Sequence, residues 1–143
     1  MANHKVDMIK KVPLFAHCTG RELEFVSAQM DEVEVKTGSE LTHEGKRGHS
    51  FFVLLKGSAR VVINGQGVGD LSAGDFFGEI SMIDMGPATA TVTTTSDATL
   101  LVLSHQQFRD AIAGNDKLSM QVMQAMAQRL RSNQAAGLGG DRH

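Results

Sequence analysis

The middle of the sequence, residues 32–103, consists of short β-rich segments separated by turn residues. Asn64-Gly65 is its strongest hairpin signal, because both residues tolerate a positive φ, and it should join strands at 58–63 and 67–71. Short strands at such regular spacing predict a β-sandwich or barrel. The other predicted strands are 32–36, in which Val33 and Val35 are the buried positions, 41–44, 50–55, 90–94 and 98–103.

Helical patterns flank the β-rich region on both sides. A short N-terminal helix should end at Pro13, which cannot continue it. Thr19 and Glu22 have the spacing of a capping box and should begin a second helix. Ser104 and Gln107 repeat this spacing after the last predicted strand and should begin a third helix.

A last helix should begin with Asp116 as its N-cap. One side of this helix is apolar and needs a partner, so it either covers the β-rich region or forms a seam with another subunit. Its methionines suit an adaptable contact. The predicted buried residues are Leu23, Phe25, Val26 and Met30 in the second helix, and Leu118, Val122, Met123, Met126 and Leu130 in the last.

A chain of 143 residues is long enough for one domain with its own core, which we assign to residues 1–133. The Gly-rich, polar residues 134–143 are predicted to form a disordered tail. With 14 basic and 16 acidic residues and no basic block, nucleic acid is not an expected partner. No apolar run suits a signal peptide or a membrane span, so we expect a cytoplasmic protein without a membrane partner.

The sequence contains no constellation of catalytic or metal-ligating residues. A cupin-type metal site needs two histidines one residue apart, whereas His43 and His49 are too widely separated. Neither a nucleophile elbow nor a P-loop is present. Cys18 is the only cysteine, and we expect a half-buried thiol without a catalytic role. We therefore expect a protein that is not an enzyme and that holds no metal or cofactor. The histidines predicted to be isolated at the surface are His4, His17, His43, His49, His105 and His143.

Two glycines bracket aromatic residues in the stretch from Gly74 to Met82, directly before a run able to begin a helix. Glycine lets backbone amides approach a ligand, and a helix start presents unpaired N–H donors to an anion. Glu79 then offers a carboxylate to a sugar hydroxyl. The stretch is either a phosphate-binding loop of this kind or an ordinary turn that ends a strand.

Four motifs together carry a resemblance to a known family: Leu41-Thr42-His43-Glu44-Gly45, Lys56-Gly57, Gly74-Asp75-Phe76-Phe77-Gly78-Glu79-Ile80-Ser81-Met82 and Pro87-Ala88-Thr89-Ala90-Thr91-Val92. In order and spacing they resemble the cyclic nucleotide-binding domain, the family of the bacterial catabolite activator, the regulatory subunits of cAMP-dependent kinase and cyclic-nucleotide-gated channels. The resemblance covers about residues 12–130. It implies a mainly β fold with flanking helices (α+β), an antiparallel jelly-roll barrel, or double-stranded β-helix, of about eight strands between N-terminal and C-terminal helices.

The resemblance also implies a ligand site at the matching positions. In the family, the loop and short helix matching residues 77–82 bind the cyclic phosphate. Gly78 lets the backbone approach, Glu79 accepts a hydrogen bond from the ribose 2′-OH, and the amides of Ile80 and Ser81 meet the phosphate. The implied ligand-binding residues are Phe77, Gly78, Glu79, Ile80, Ser81, Ala88, Thr89 and Ala90.

Position 88 departs from the family pattern, in which an arginine after the proline pairs with the phosphate. Here the residue is Ala88, followed by Thr89. A charge-assisted hydrogen bond contributes about 1.5–3 kcal/mol, so its loss should weaken binding about ten- to a hundredfold. The helix-start amides and the Thr89 hydroxyl can offset part of this loss. Three outcomes stay open, namely weak binding of cAMP or cGMP, a different ligand, and a site retained only as scaffold.

The resemblance implies a sensor of cAMP or cGMP that acts through an effector protein, with a homodimer through the last helix as a further expectation. Interaction or dimerisation through a domain whose pocket is empty is the alternative function. The two differ in whether a cyclic nucleotide stabilises the native protein.

Overall fold

A computed structural model of the chain describes residues 4–135. The predicted disordered tail, residues 134–143, lies outside the described residues except for its first two positions, which the last helix includes. The helices are α1 (His4–Ile9), α2 (Gly20–Gln29), α3 (Glu79–Asp84), α4 (His105–Ala113) and α5 (Asp116–Ala135), with a 3₁₀ turn at Pro13–Phe15. The strands are β1 (Asp31–Val35), β2 (Glu40–Thr42), β3 (Ser50–Lys56), β4 (Ser58–Ile63), β5 (Gln66–Ser72), β6 (Phe76–Phe77), β7 (Thr91–Thr94) and β8 (Ala98–Ser104).

The eight described strands form two antiparallel four-stranded sheets. The orders are β1-β8-β3-β6 in one sheet and β2-β7-β4-β5 in the other. Mainly β structure with flanking helices confirms the predicted fold class. None of the described strands pairs with a strand of the other sheet, so the jelly roll is a pair of sheets and not a closed barrel.

The described part of the chain divides into two compact units, one of residues 29–109 and one that joins the described residues before 29 with those after 109. In the β-rich unit, a buried cluster of Leu54, Ala98 and Leu100 receives Leu41 from β2 and Leu71 from β5, so both sheets contribute to one core. This core fixes the faces of β3 and β2 that enclose the site described below.

The hairpin predicted from Asn64-Gly65 is present. Asn64 has φ 52° and Gly65 has φ 78°, the positive values that a two-residue hairpin turn requires. It joins β4 to β5, and the antiparallel register pairs Ile63 with Gln66. The two turn residues therefore predicted the pairing of these strands correctly.

The first strand is less buried than predicted. Val33 is 38% exposed and Val35 is half-buried. Because β1 lies at the edge of its sheet and pairs there with β8 alone, it has no neighbouring strand on its other side. The alternation of the sequence predicted the strand correctly but not the exposure of Val33.

In the helical unit, α2 begins with the predicted capping box. The Glu22 carboxylate accepts hydrogen bonds from the Thr19 amide, at 3.2 Å, and from the Thr19 hydroxyl. Leu23 and Val26 are buried as predicted, while Phe25 is half-buried. Met30, the fourth predicted residue, is buried and belongs to the β-rich unit.

Two predictions for the last helix are wrong. Asn115, and not Asp116, is its N-cap, because the Asn115 Oδ1 accepts the Leu118 amide at 3.0 Å. The buried side consists of Leu118, Val122 and Ala125, at helical spacing. Met123 lies about 140° around the helix from Leu118 and is 52% exposed. Of the other predicted residues, Met126 is half-buried and Leu130 is 64% exposed.

Among residues 4–135, none of the helices combines the length and the hydropathy that a membrane crossing needs.

Candidate functional site

The stretch from Gly74 to Phe77 is held along β3 by backbone hydrogen bonds. Gly74, at φ 100°, donates to the Leu54 carbonyl at 2.8 Å, and the Leu54 amide donates to Asp75 at 2.8 Å. Strand β6 follows, and Phe77 pairs with Phe52 and stacks on its ring, with 4.8 Å between the centroids. The start of the loop is therefore fixed to the first sheet.

Gly78 is the one position in this loop that only glycine can occupy without displacing backbone. It is the N-cap of α3 at φ 86°, a left-handed conformation. A Cβ built on Gly78 would lie 2.5 Å from the carbonyl oxygen of Ser50. Gly78 therefore allows α3 to begin directly against β3.

Helix α3 carries the predicted phosphate-binding residues in its first turn. In a helix the first-turn amides, here including Ile80 and Ser81, have no acceptor within the helix itself. Glu79 is half-buried, and the Ile80 side chain is 53% exposed. Ser81 is buried, with its Oγ 3.4 Å from the Pro87 carbonyl.

Residues 44–48 run beside residues 86–88 and hold them through backbone hydrogen bonds. The Ala88 amide donates to the Lys46 carbonyl at 2.7 Å, and the Gly45 amide donates to the Ala88 carbonyl at 2.9 Å. The Gly48 amide donates to Gly86 at 3.1 Å. These bonds fix the position of Ala88 opposite the loop between β2 and β3.

A cavity of about 270 Å³ opens between these segments, lined by residues 40–43, residues 46–50, Phe52 and Ala88. Its volume is just below the range of about 300–1,000 Å³ typical of small-molecule pockets. Of the eight predicted ligand-binding residues, Ala88 is the one that lines it.

The predicted loop and helix adjoin the cavity through residues of its wall. A Cβ on Gly48 would lie 2.6 Å from the Ser81 Cβ, and Gly78 abuts the Ser50 carbonyl. Phe77 stacks on the ring of Phe52, and Phe52 lines the cavity. Ala90 is buried, and its carbonyl accepts the Thr42 hydroxyl at 2.9 Å, whereas Thr89 is exposed. Of the predicted site residues, Ala88 therefore lines the cavity, and Phe77, Gly78, Ser81 and Ala90 contact residues that line it.

The lining of the cavity is rich in basic side chains that the sequence analysis did not assign to a site. Lys46 and Arg47 are exposed cations, and His43 and His49 stand on either side of them in the sequence. Glu40 is the acidic residue of the lining, and its carboxylate is 3.1 Å from the His43 Nδ1. The sequence feature that could have indicated this basic lining is the pair Lys46-Arg47, which lies between two glycines just before β3.

The prediction of isolated surface histidines is wrong for His105. Its ring is half-buried, and its Nδ1 is 2.5 Å from the Met82 carbonyl in α3. Its backbone amide donates to the His49 carbonyl at 2.6 Å. The first residue of α4 is therefore bound both to the helix beside the cavity and to the cavity wall. His4 and His143 cannot be compared, because their side chains lie outside the described part of the chain.

Metal and thiol chemistry find little support in the described residues. Within residues 4–135, no group of three or more His, Cys, Asp or Glu side chains is arranged to hold a metal ion. Cys18 is half-buried, and burial, with a smaller contribution from Glu22, raises the pKa of its thiol to about 11. The thiol is therefore protonated at neutral pH and is a poor nucleophile.

Comparison with known proteins gives one family. The family described as Cyclic nucleotide-binding domain matches residues 32–115, which include the cavity lining and all eight predicted site residues. The match confirms the resemblance found in the sequence. It indicates a binding domain and no catalytic family.

The similar curated proteins include two fungal regulatory subunits. The cAMP-dependent protein kinase regulatory subunit of Hypocrea atroviridis is 30% identical over 103 residues, covering 72% of this chain and 22% of that protein. The protein of the same name from Mycosarcoma maydis is 36% identical over 100 residues, covering 65% of this chain and 19% of that protein. The chain thus spans about a fifth of the length of these relatives.

Among solved structures, a similar chain is the N-terminal domain of a transcriptional regulator from Streptomyces coelicolor A3(2). It has 28% sequence identity and a TM-score of 0.84, and the match covers 94% of this chain and 97% of that chain.

Proposed function

The chain belongs to the cyclic nucleotide-binding domain family, and from this premise we propose that it binds cAMP or cGMP and regulates an effector protein. One observation carries the proposal: residues that line the cavity, Gly48 and Ser50, are the ones against which Ser81 and Gly78 pack. A ligand in the cavity would therefore contact the residues against which the start of α3 packs. The two fungal relatives, regulatory subunits of cAMP-dependent protein kinase, support a cyclic nucleotide as the ligand.

The proposed site uses the family's roles at matching positions. The first-turn amides of Ile80 and Ser81 donate to the cyclic phosphate, and Glu79 accepts from the ribose 2′-OH. Gly78 allows this turn to begin against β3. Phe77, Thr89 and Ala90 complete the proposed residues, with Thr89 offering a hydroxyl.

Ala88 makes this site weaker than a site with arginine at position 88. Ala88 lines the cavity, but its methyl side chain donates no hydrogen bond and carries no charge. Losing a charge-assisted hydrogen bond of about 1.5–3 kcal/mol lowers affinity about ten- to a hundredfold. The affinity for a cyclic nucleotide is therefore proposed to be modest.

Binding is proposed to reach the effector through α4. His105 begins that helix, and its Nδ1 donates a hydrogen bond to the Met82 carbonyl of α3. A ligand shifts such a coupled equilibrium only by its differential affinity for the two states. A ligand that binds with modest affinity is therefore expected to shift the populations of the two states only modestly.

The proposal is tested by thermal unfolding of the full chain with cAMP and cGMP, and with AMP and adenosine as controls. A ligand that binds the native state at a hundred times its Kd adds about 2.7 kcal/mol of stability. For a chain of this size the midpoint should rise by several degrees. No rise with either cyclic nucleotide, under conditions that saturate weak binding, would refute the proposed function.

Calorimetric titration of Ala88→Arg with a cyclic nucleotide measures how much affinity the alanine at position 88 costs. The arginine variant should bind about tenfold tighter than the wild type, and Ala88→Gln, which is long and polar but neutral, is the matched control. An unchanged affinity in Ala88→Arg would mean that position 88 does not face the phosphate.

A second candidate function is interaction or dimerisation through a domain whose pocket is empty. It is favoured by Met120, Met123 and Leu130 on α5, which are 52%, 52% and 64% exposed. This function predicts self-association in sedimentation experiments together with no thermal shift from any cyclic nucleotide. A thermal shift by cAMP or cGMP decides for the first function.

A further inference from the structure

The backbone places two basic residues beside the position that lacks arginine. The Ala88 amide is bound to the Lys46 carbonyl at 2.7 Å, and Arg47 forms an antiparallel bridge with Pro87, the residue before Ala88. Lys46, Arg47 and Ala88 all line the same cavity. The two segments are joined through their backbones, so the arrangement does not depend on any side-chain contact.

The charge of this cavity is positive. Lys46 and Arg47 are basic residues, and the acidic lining residue, Glu40, is paired with His43. Within the described part of the chain, neither Lys46 nor Arg47 forms an ion pair. Both cations are thus available to an anion that enters the cavity.

We propose that Arg47, assisted by Lys46, supplies the positive charge that pairs with the phosphate of the ligand, in place of an arginine at position 88. The inference rests on the proposed function and names the residues that complete its anion site. A guanidinium can bind two phosphate oxygens through its planar fork, whereas the lysine ammonium acts as a point charge. Arg47 is therefore the principal partner.

The exposure of these cations sets the size of the effect. Arg47 and Lys46 are both exposed, so solvent screens their attraction to an anion more than it screens a buried arginine. The pair offsets part of the loss at position 88 and leaves an affinity between that of an arginine site and that of a site without any cation.

The test is calorimetric titration of the full chain with cAMP and with cGMP, comparing wild type, Arg47→Gln and the double variant Lys46→Gln/Arg47→Gln. Glutamine is polar but uncharged, and the substitutions leave the backbone hydrogen bonds in place. The single change should weaken binding about tenfold, and the double change more than that. Arg60→Gln is the matched control, because Arg60 is an exposed arginine of β4 outside the cavity lining, 3.7 Å from Asp70.

Titration with adenosine distinguishes a lost charge interaction from a damaged pocket as the cause of weaker binding. It lacks the phosphate, so Arg47→Gln should leave its affinity, measured by the same titration, unchanged within about twofold. Equal losses for adenosine and cAMP would overturn the inference, because they would reflect a damaged pocket. Circular dichroism and the unliganded thermal midpoint verify that each variant is folded.

The outcomes distinguish this inference from the proposed function. Binding to wild type that is weakened in the double variant but not in Arg60→Gln supports both. Binding that is equal in wild type and the double variant overturns the role of Lys46 and Arg47 and leaves the proposed function standing. Binding of neither nucleotide to wild type overturns the proposed function, and the inference with it.

Discussion

At the scale of single residues, Gly78 shows how one position links fold to site. It combines a left-handed backbone at φ 86° with a contact so close that a Cβ would lie 2.5 Å from the Ser50 carbonyl. Gly74 has a similar backbone, at φ 100°, but open space where its Cβ would be. A side chain at Gly74 would strain only the backbone conformation. A side chain at Gly78 would strain the backbone conformation and also clash with β3.

Gly74→Ala and Gly78→Ala are expected to destabilise the protein to different degrees. Left-handed backbone costs an L residue about 1–2 kcal/mol, and Gly74→Ala should lose about that amount. Gly78→Ala should lose more, because its Cβ must also displace the β3 backbone. Urea unfolding measures both free energies. Equal losses would show that α3 does not press against β3 in solution.

At the scale of elements, two helices begin with the capping boxes that the sequence predicts. In α4 the box is reciprocal, since the Ser104 amide donates to Gln107 at 2.8 Å and the Gln107 amide donates to the Ser104 hydroxyl at 3.1 Å. In α2 the acceptor is a carboxylate, Glu22. Hydrogen bonds from Thr19, chiefly from its hydroxyl, hold the pKa of Glu22 below its usual value.

This pKa predicts the pH dependence of the cap. A carboxyl whose folded pKa is depressed adds stability above its unfolded pKa, and that stability is lost as the pH falls through the folded value. The advantage of wild type over Glu22→Gln in urea unfolding should therefore shrink as the pH falls below about 4.5. Glu24→Gln removes a charge from an exposed position of the same helix and is the control. An advantage that is constant between neutral and acid pH would contradict the assignment.

At the scale of the whole molecule, the sequence predicted the fold better than the site. Strand and helix signals are local, as in Asn64-Gly65, so seven of the eight described strands and both capping boxes could be read directly. The two-residue strand β6 was not predicted, because it lies in the stretch interpreted as a loop. The cavity depends on pairing between residues 44–48 and 86–88, which are distant in the sequence. No local pattern indicates that Lys46 and Arg47 lie beside Ala88. Burial on α5 was also mispredicted, because several apolar faces are possible and only packing selects one.

The molecule as a whole carries a net charge of −2, whereas the cavity is locally basic. The net negative charge repels an anionic ligand, whereas the basic residues of the cavity attract it. Raising sodium chloride from about 0.01 M to about 1 M shortens the Debye length from about 30 Å to about 3 Å and screens both. If the local cations dominate, as the proposed role of Arg47 requires, the affinity for the cyclic nucleotide should fall as salt rises, while that for adenosine should not. Calorimetry across this range measures both affinities, and a cyclic nucleotide that binds more tightly at high salt would show that repulsion by the net charge outweighs Lys46 and Arg47.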